Sequence, residues 1–124
     1  METKDILKQL VCSLDKHKAK DIRVIQVTDI SSLADYFVIA AGTSSTQVRA
    51  LVDYAEMELG QCGVHPLRTE GYQNSQWTLL DFGQVVVHVF QEETRSFYDL
   101  ERLWKDGKEI DINSFLSDGG NENE

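Results

Sequence analysis

The sequence predicts an α/β (α+β) fold, a mixed β-sheet of about five strands with helices packed on it, and three observations carry that reading. An apolar run over residues 36–41 gives way after Gly42 to apolar residues at helical spacing, so a strand feeds a helix. Residues 77–82 and 85–91, separated by Gly83-Gln84, read as a tight hairpin. The order αββα(β)ββα then requires a parallel crossover around the second helix, with an antiparallel pair after it.

Taken in order, Ile6, Leu7, Leu10, Val11 and Leu14 recur at helical spacing, and Lys16, Lys18 and Lys20 follow where cations suit a helix C-terminus. Residues 3–18 are therefore helix one. Residues 22–27 are short and β-branched, while residues 36–41 are apolar throughout, which makes the second strand one buried on both faces. Residues 28–35 connect them. Val48, Leu51, Val52, Ala55 and Leu59 define helix two, which ends near Gly60 and Gly63. Residues 65–69 suit a short strand, and Tyr72, Gln73, Asn74 and Ser75 a turn. Within residues 96–104, Phe97, Leu100, Leu103 and Trp104 share one face of a third helix, leaving Tyr98, Glu101, Arg102 and Lys105 elsewhere. Residues 1–116 read as a single domain and residues 117–124 as a disordered acidic tail.

With 124 residues, 41% hydrophobic and 27% charged, the composition is that of a soluble globular domain, and no apolar run approaches the roughly 18 residues of a membrane span. The first twenty residues carry neither a signal-peptide core nor a transit-peptide charge pattern, so a cytoplasmic location is expected. Cys12 and Cys62 form no metal or redox spacing and read as reduced, semi-buried thiols. Net charge is −9, and from Glu92 onward ten acids face four bases, whereas residues 1–20 are slightly basic. Phosphate contacts need a basic surface, so direct nucleic-acid binding is disfavoured. The acidity serves solubility, or a basic protein partner, or both.

The stretch AGTSSTQ, residues 41–47, sits where backbone amides could hold a phosphate. Ser44 and Gln47 have capping-box spacing, which explains the residues without a ligand. No Walker loop or G-x-G-x-x-G is present, and Arg23 is the one base between Lys20 and Arg49. Two carboxylates spaced to hold a metal between phosphates are also missing, since Asp81 has Gly83 as its i+2 neighbour. No cofactor, metal or catalytic residue is expected. His17, His65 and His88 are dispersed, and no serine or cysteine carries a nucleophile-elbow pattern.

Several polar or aromatic positions stand out. His88 lies inside the apolar run 85–90, either as a hydrogen-bonded core histidine or on a sheet face open to a partner. Trp77, Leu79 and Asp81 share one strand face, opposite Thr78, Leu80 and Phe82, and Tyr98 and Glu101 share the off-core face of helix three. Trp77 either packs under a helix or anchors an interface, where tryptophan and tyrosine supply much of the energy.

Residues 34–39 (ADYFVI), Gly42-Thr43-Ser44-Ser45 with Gln47-Val48, Glu70-Gly71, residues 77–83, Val86 to Phe90, and Tyr98, Leu100, Glu101, Leu103 and Trp104 together resemble the ribosomal silencing factor family, RsfS, also called Iojap. The resemblance runs from about Asp21 to Trp104. It implies a nucleotidyltransferase-like topology without the enzyme activity. It also implies a translational repressor that binds large-subunit ribosomal protein number fourteen, blocks subunit association, damps translation under nutrient limitation, and is often a homodimer when free. The implied partner-binding residues are Trp77, Tyr98, Leu100 and Glu101, with Asp81 and His88 as neighbours on the sheet. Rival readings are a large-subunit assembly factor and a nucleotide-binding or nucleotidyl-transfer enzyme using the turn 42–47. Thr46 and Gln84 depart from the family's usual arginine and aspartate, and the second change would drop a charge from the hairpin turn.

Overall fold

A computed structural model describes residues 2–30, 34–72, 76–94 and 106–116. Its elements run α1 (Thr3–Lys16), β1 (Lys20–Gln26), β2 (Tyr36–Gly42), α2 (Ser45–Gln61), β3 (Arg68–Glu70), β4 (Trp77–Asp81), β5 (Val85–Gln91) and β6 (Lys108–Ile110). The strands form one mixed sheet of order β3-β4-β5-β2-β1-β6. Only β2 and β5 run parallel, from Tyr36 opposite Val85 to Gly42 opposite Gln91; every other neighbouring pair is antiparallel. The crossover through α2 and the hairpin of β4 and β5 are thus as the apolar patterning requires.

Both helices pack on the same face of the sheet. Leu7, Leu10, Val11 and Leu14 of α1 and Val48, Leu51, Val52, Ala55 and Leu59 of α2 meet Val24, Val38, Ala40, Leu80, Val85, Val87 and Val89, all buried. Strand alternation sends the intervening residues to the second face, where Ile25, Val27, Ala34, Ile39 and Phe90 form a smaller buried cluster bordered by Phe37, Trp77 and Val86. Strand β2 contributes to both clusters, which is why it is apolar at every position from Phe37 to Ala41.

Both helices stop the same way. After α2, the amide of Gly63 donates to the carbonyl of Gly60 at 2.9 Å and that of Val64 to Leu59 at 2.9 Å, with Gly63 in the left-handed region at φ +82°. After α1, Lys18 and Ala19 make the equivalent bonds to Asp15 at 3.0 Å and Leu14 at 2.9 Å, but the left-handed position at φ 68° is held by a lysine. Asp21, at φ 50°, sits in the register shift between Lys20 and Arg23, a bulge at the start of β1.

Among the described residues the sheet has six strands where about five were expected. The extra one, β6, offers three residues, Lys-Glu-Ile, too short for a period to show, and is fixed by pairing with Val24 to Gln26. Strand β3 begins at Arg68, later than the expected start at residue 65, and all three of its residues are exposed on the sheet edge. Helix one ends at Lys16, two residues early, because the Schellman turn takes Lys18 out of the helix. Cys12 is partly buried but Cys62, at the end of α2, is exposed. The expected helix over residues 96–104 and the tail over 117–124 lie outside the described residues, as do Gln73, Asn74 and Ser75.

Candidate functional site

The turn between β2 and α2 is filled by its own side chains. Ser44 caps α2 by accepting from the Gln47 amide at 3.1 Å, as the spacing predicts. The return contact differs by one residue: Gln47 Oε1 accepts from the Thr43 amide at 2.6 Å and the Thr43 hydroxyl at 2.9 Å, while Gln47 Nε2 donates to the Lys18 carbonyl at 3.3 Å. The Gln47 amide group therefore sits where an anion would have to approach Thr43, and ties the turn to the end of α1. This arrangement is a cap.

The second sheet face gathers the aromatic residues. Trp77 stands opposite Phe90, and the rings stack with centroids 5.2 Å apart at 21°. Leu79 stands opposite His88, and Phe37 meets the His88 ring edge-on at 4.8 Å and 65°. The Trp77 indole Nε1–H donates to His88 Nδ1 at 3.1 Å. His88 is 5% exposed, and burial lowers its pKa to about 4, so the ring is neutral at physiological pH. In that neutral ring the accepting Nδ1 leaves the proton on Nε2. His88 Nε2 is sealed from solvent with no hydrogen-bond partner among the described residues.

Trp77 and Leu79 are partly buried, and with Glu70 and Gly71 they line a hollow of about 180 Å³. Gly71, at φ +77°, is required there: a Cβ would collide with the Trp77 carbonyl oxygen. Thr78 Oγ1 also donates to the Gly71 carbonyl at 3.4 Å, so this turn and the Trp77 strand are locked together. A charged rim borders the patch, with Arg68 Nη1 at 2.6 Å from Glu70 and Arg68 Nε at 3.1 Å from Asp81. Asp81 has a second task, since its Oδ1 accepts from the Gly83 amide at 2.8 Å and holds the hairpin turn. Gln84 keeps that turn docked, its carbonyl accepting from Asp35 at 2.8 Å and Tyr36 at 3.1 Å and its side chain meeting Thr3 at 2.5 Å.

Of the six residues singled out from the sequence, Trp77, Asp81 and His88 are thus brought together on one face, His88 buried and bonded to Trp77. Tyr98, Leu100 and Glu101 lie outside the described residues. Sequence reasoning did not place Phe90 beside Trp77 or Phe37 beside His88, nor Arg68 and Glu70 on the rim; strand alternation carried the signal for Phe37 and Phe90, but pairing register did not exist until the sheet was assembled. A larger hollow of about 440 Å³ lies away from this face, against the start of α1, between Glu2, Lys4, Asp5, Asp35 and Tyr36.

The model of a family described as "ribosomal silencing factor during starvation" matches residues 1–124. A ribosomal silencing factor from Halalkalibacterium halodurans is 34% identical over 117 residues, covering 94% of this chain and all of that protein. A mouse protein named for mitochondrial assembly of the ribosomal large subunit is 40% identical over 98 residues, 77% of this chain and 43% of that one. The crystal structure of a Chromobacterium violaceum protein superposes with a TM-score of 0.81 at 36% identity, covering 85% of this chain and 88% of that one.

Proposed function

This chain belongs to the ribosomal silencing factor family, RsfS, and from that premise we propose that it is a non-enzymatic repressor of translation. It docks on large-subunit ribosomal protein number fourteen and, by occupying that surface, sterically blocks association with the small subunit when nutrients are short. The observation that supports this best is the second sheet face, where a partly buried tryptophan backed by Phe90 and His88 is rimmed by carboxylates. An aromatic anchor with an acidic border suits a basic protein surface. Trp77 supplies the anchor; Asp81 and Glu70, sharing Arg68, leave the rim net negative. Tyr98, Leu100 and Glu101 join them by the family pattern, and the free protein is a cytoplasmic homodimer.

The test sediments large ribosomal subunits with wild type and with Trp77→Ala, the variant first shown to be folded by circular dichroism. Loss of a central aromatic anchor weakens binding by about thirtyfold, on the order of 2 kcal/mol. Equal recovery of both proteins on large subunits removes this face from the docking surface. The name of the mouse relative favours a second reading, an assembly role for the same surface earlier in the life of the large subunit. Cells lacking the protein would then accumulate large-subunit precursors even in rich medium, which a repressor acting on finished subunits does not require.

A further inference from the structure

We propose that His88 is the positioning residue for the Trp77 anchor, orienting the indole from beneath without itself touching the partner. This rests on the docking role of the Trp77 face given above. Among the described residues, two contacts of the indole differ in what they specify. Stacking on Phe90 at 5.2 Å fixes the ring plane, but a ring turned over in that plane stacks about as well. The hydrogen bond from Trp77 Nε1 to His88 Nδ1 at 3.1 Å distinguishes the two orientations, because only one directs the N–H at the acceptor. Stacking sets the plane; the bond sets the direction.

His88 is costly as a packing residue. Its Nε2–H is buried with no hydrogen-bond partner among the described residues, and an apolar side chain between Phe37 and Phe90 would escape that penalty. What an apolar residue cannot supply is the acceptor. At 5% exposure the imidazole is covered by its neighbours, so its contribution to docking passes through the indole. A preorganised anchor binds more tightly because the ordering cost of that side chain is met before the encounter.

The experiment measures affinity for purified large subunits, thermal stability and the indole Nε1–H resonance for wild type, Trp77→Ala, His88→Leu, His88→Phe and His88→Asn. The two apolar variants are expected to melt at or above the wild-type temperature, to shift the Trp77 indole resonance upfield, and to bind about threefold to tenfold more weakly. His88→Asn, whose amide oxygen can occupy the place of Nδ1, restores the resonance and most of the affinity. Wild-type affinity in whichever apolar variant folds, with Trp77→Ala impaired, overturns the role of His88 alone. So does an asparagine variant no better than the apolar ones. Trp77→Ala binding like wild type overturns the docking face, and this role with it.

Discussion

A histidine kept neutral inside an apolar layer makes the stability of this protein depend on pH in a defined direction. In the unfolded chain the imidazole takes up a proton near its ordinary pKa of 6.5, whereas burial in the fold delays protonation to about pH 4. The folded pKa is the lower one, so the full stability exists above pH 6.5 and is lost as pH falls towards 4, about 3 kcal/mol in all. Unfolding free energies from urea titrations between pH 7 and 4 should fall further for wild type than for His88→Leu by that amount; equal falls would mean the imidazole protonates in place. Asp81 teaches a different lesson about single residues. The sequence shows a carboxylate sharing a face with Trp77, but its bonds to Gly83 and Arg68 are visible only once the hairpin closes and β3 arrives beside it. Its role in holding the turn was therefore hidden, while its place on the face was legible.

At the level of elements, the helices and the longer strands were readable because each buries a regular set of side chains: Leu7, Leu10, Val11 and Leu14 at one period, Val85, Val87 and Val89 at another. Strands β3 and β6 bury none of their residues fully, so their existence depends on pairing partners that local sequence does not specify. The α1 stop shows a similar limit, since nothing in Lys16, His17 and Lys18 announces that Lys18 takes φ 68°. A non-glycine residue there costs stability, so Lys18→Gly is expected to stabilise the fold by up to about 1 kcal/mol, read as a rise of a few degrees in melting temperature. A fall would show that the lysine side chain repays its backbone. The turn before β4 has the opposite sign: Gly71→Ala must displace the Trp77 carbonyl, costing more than about 1 kcal/mol and weakening subunit binding along with stability. An alanine variant as stable as wild type would mean that this turn relaxes freely.

For the molecule as a whole, a net charge of −9 would speed its encounter with the basic partner proposed above. Affinity for large subunits is expected to decline as monovalent salt rises from about 50 to 300 mM, mainly through a slower association rate, because exposed carboxylates are screened. An association rate flat across that range would make the charge a matter of solubility alone. Sheet order contributes something else. Its two margins are β3 and β6, three residues each, carrying Arg68 and Glu70 on one side and Lys108 and Glu109 on the other. Such short, ionic borders give an incoming chain little backbone to zip onto and ions to displace. Crowded copies of this protein are therefore steered away from ribbon growth and fibre seeding, and any pairing between them must be made flank to flank, through side chains, where it can be undone.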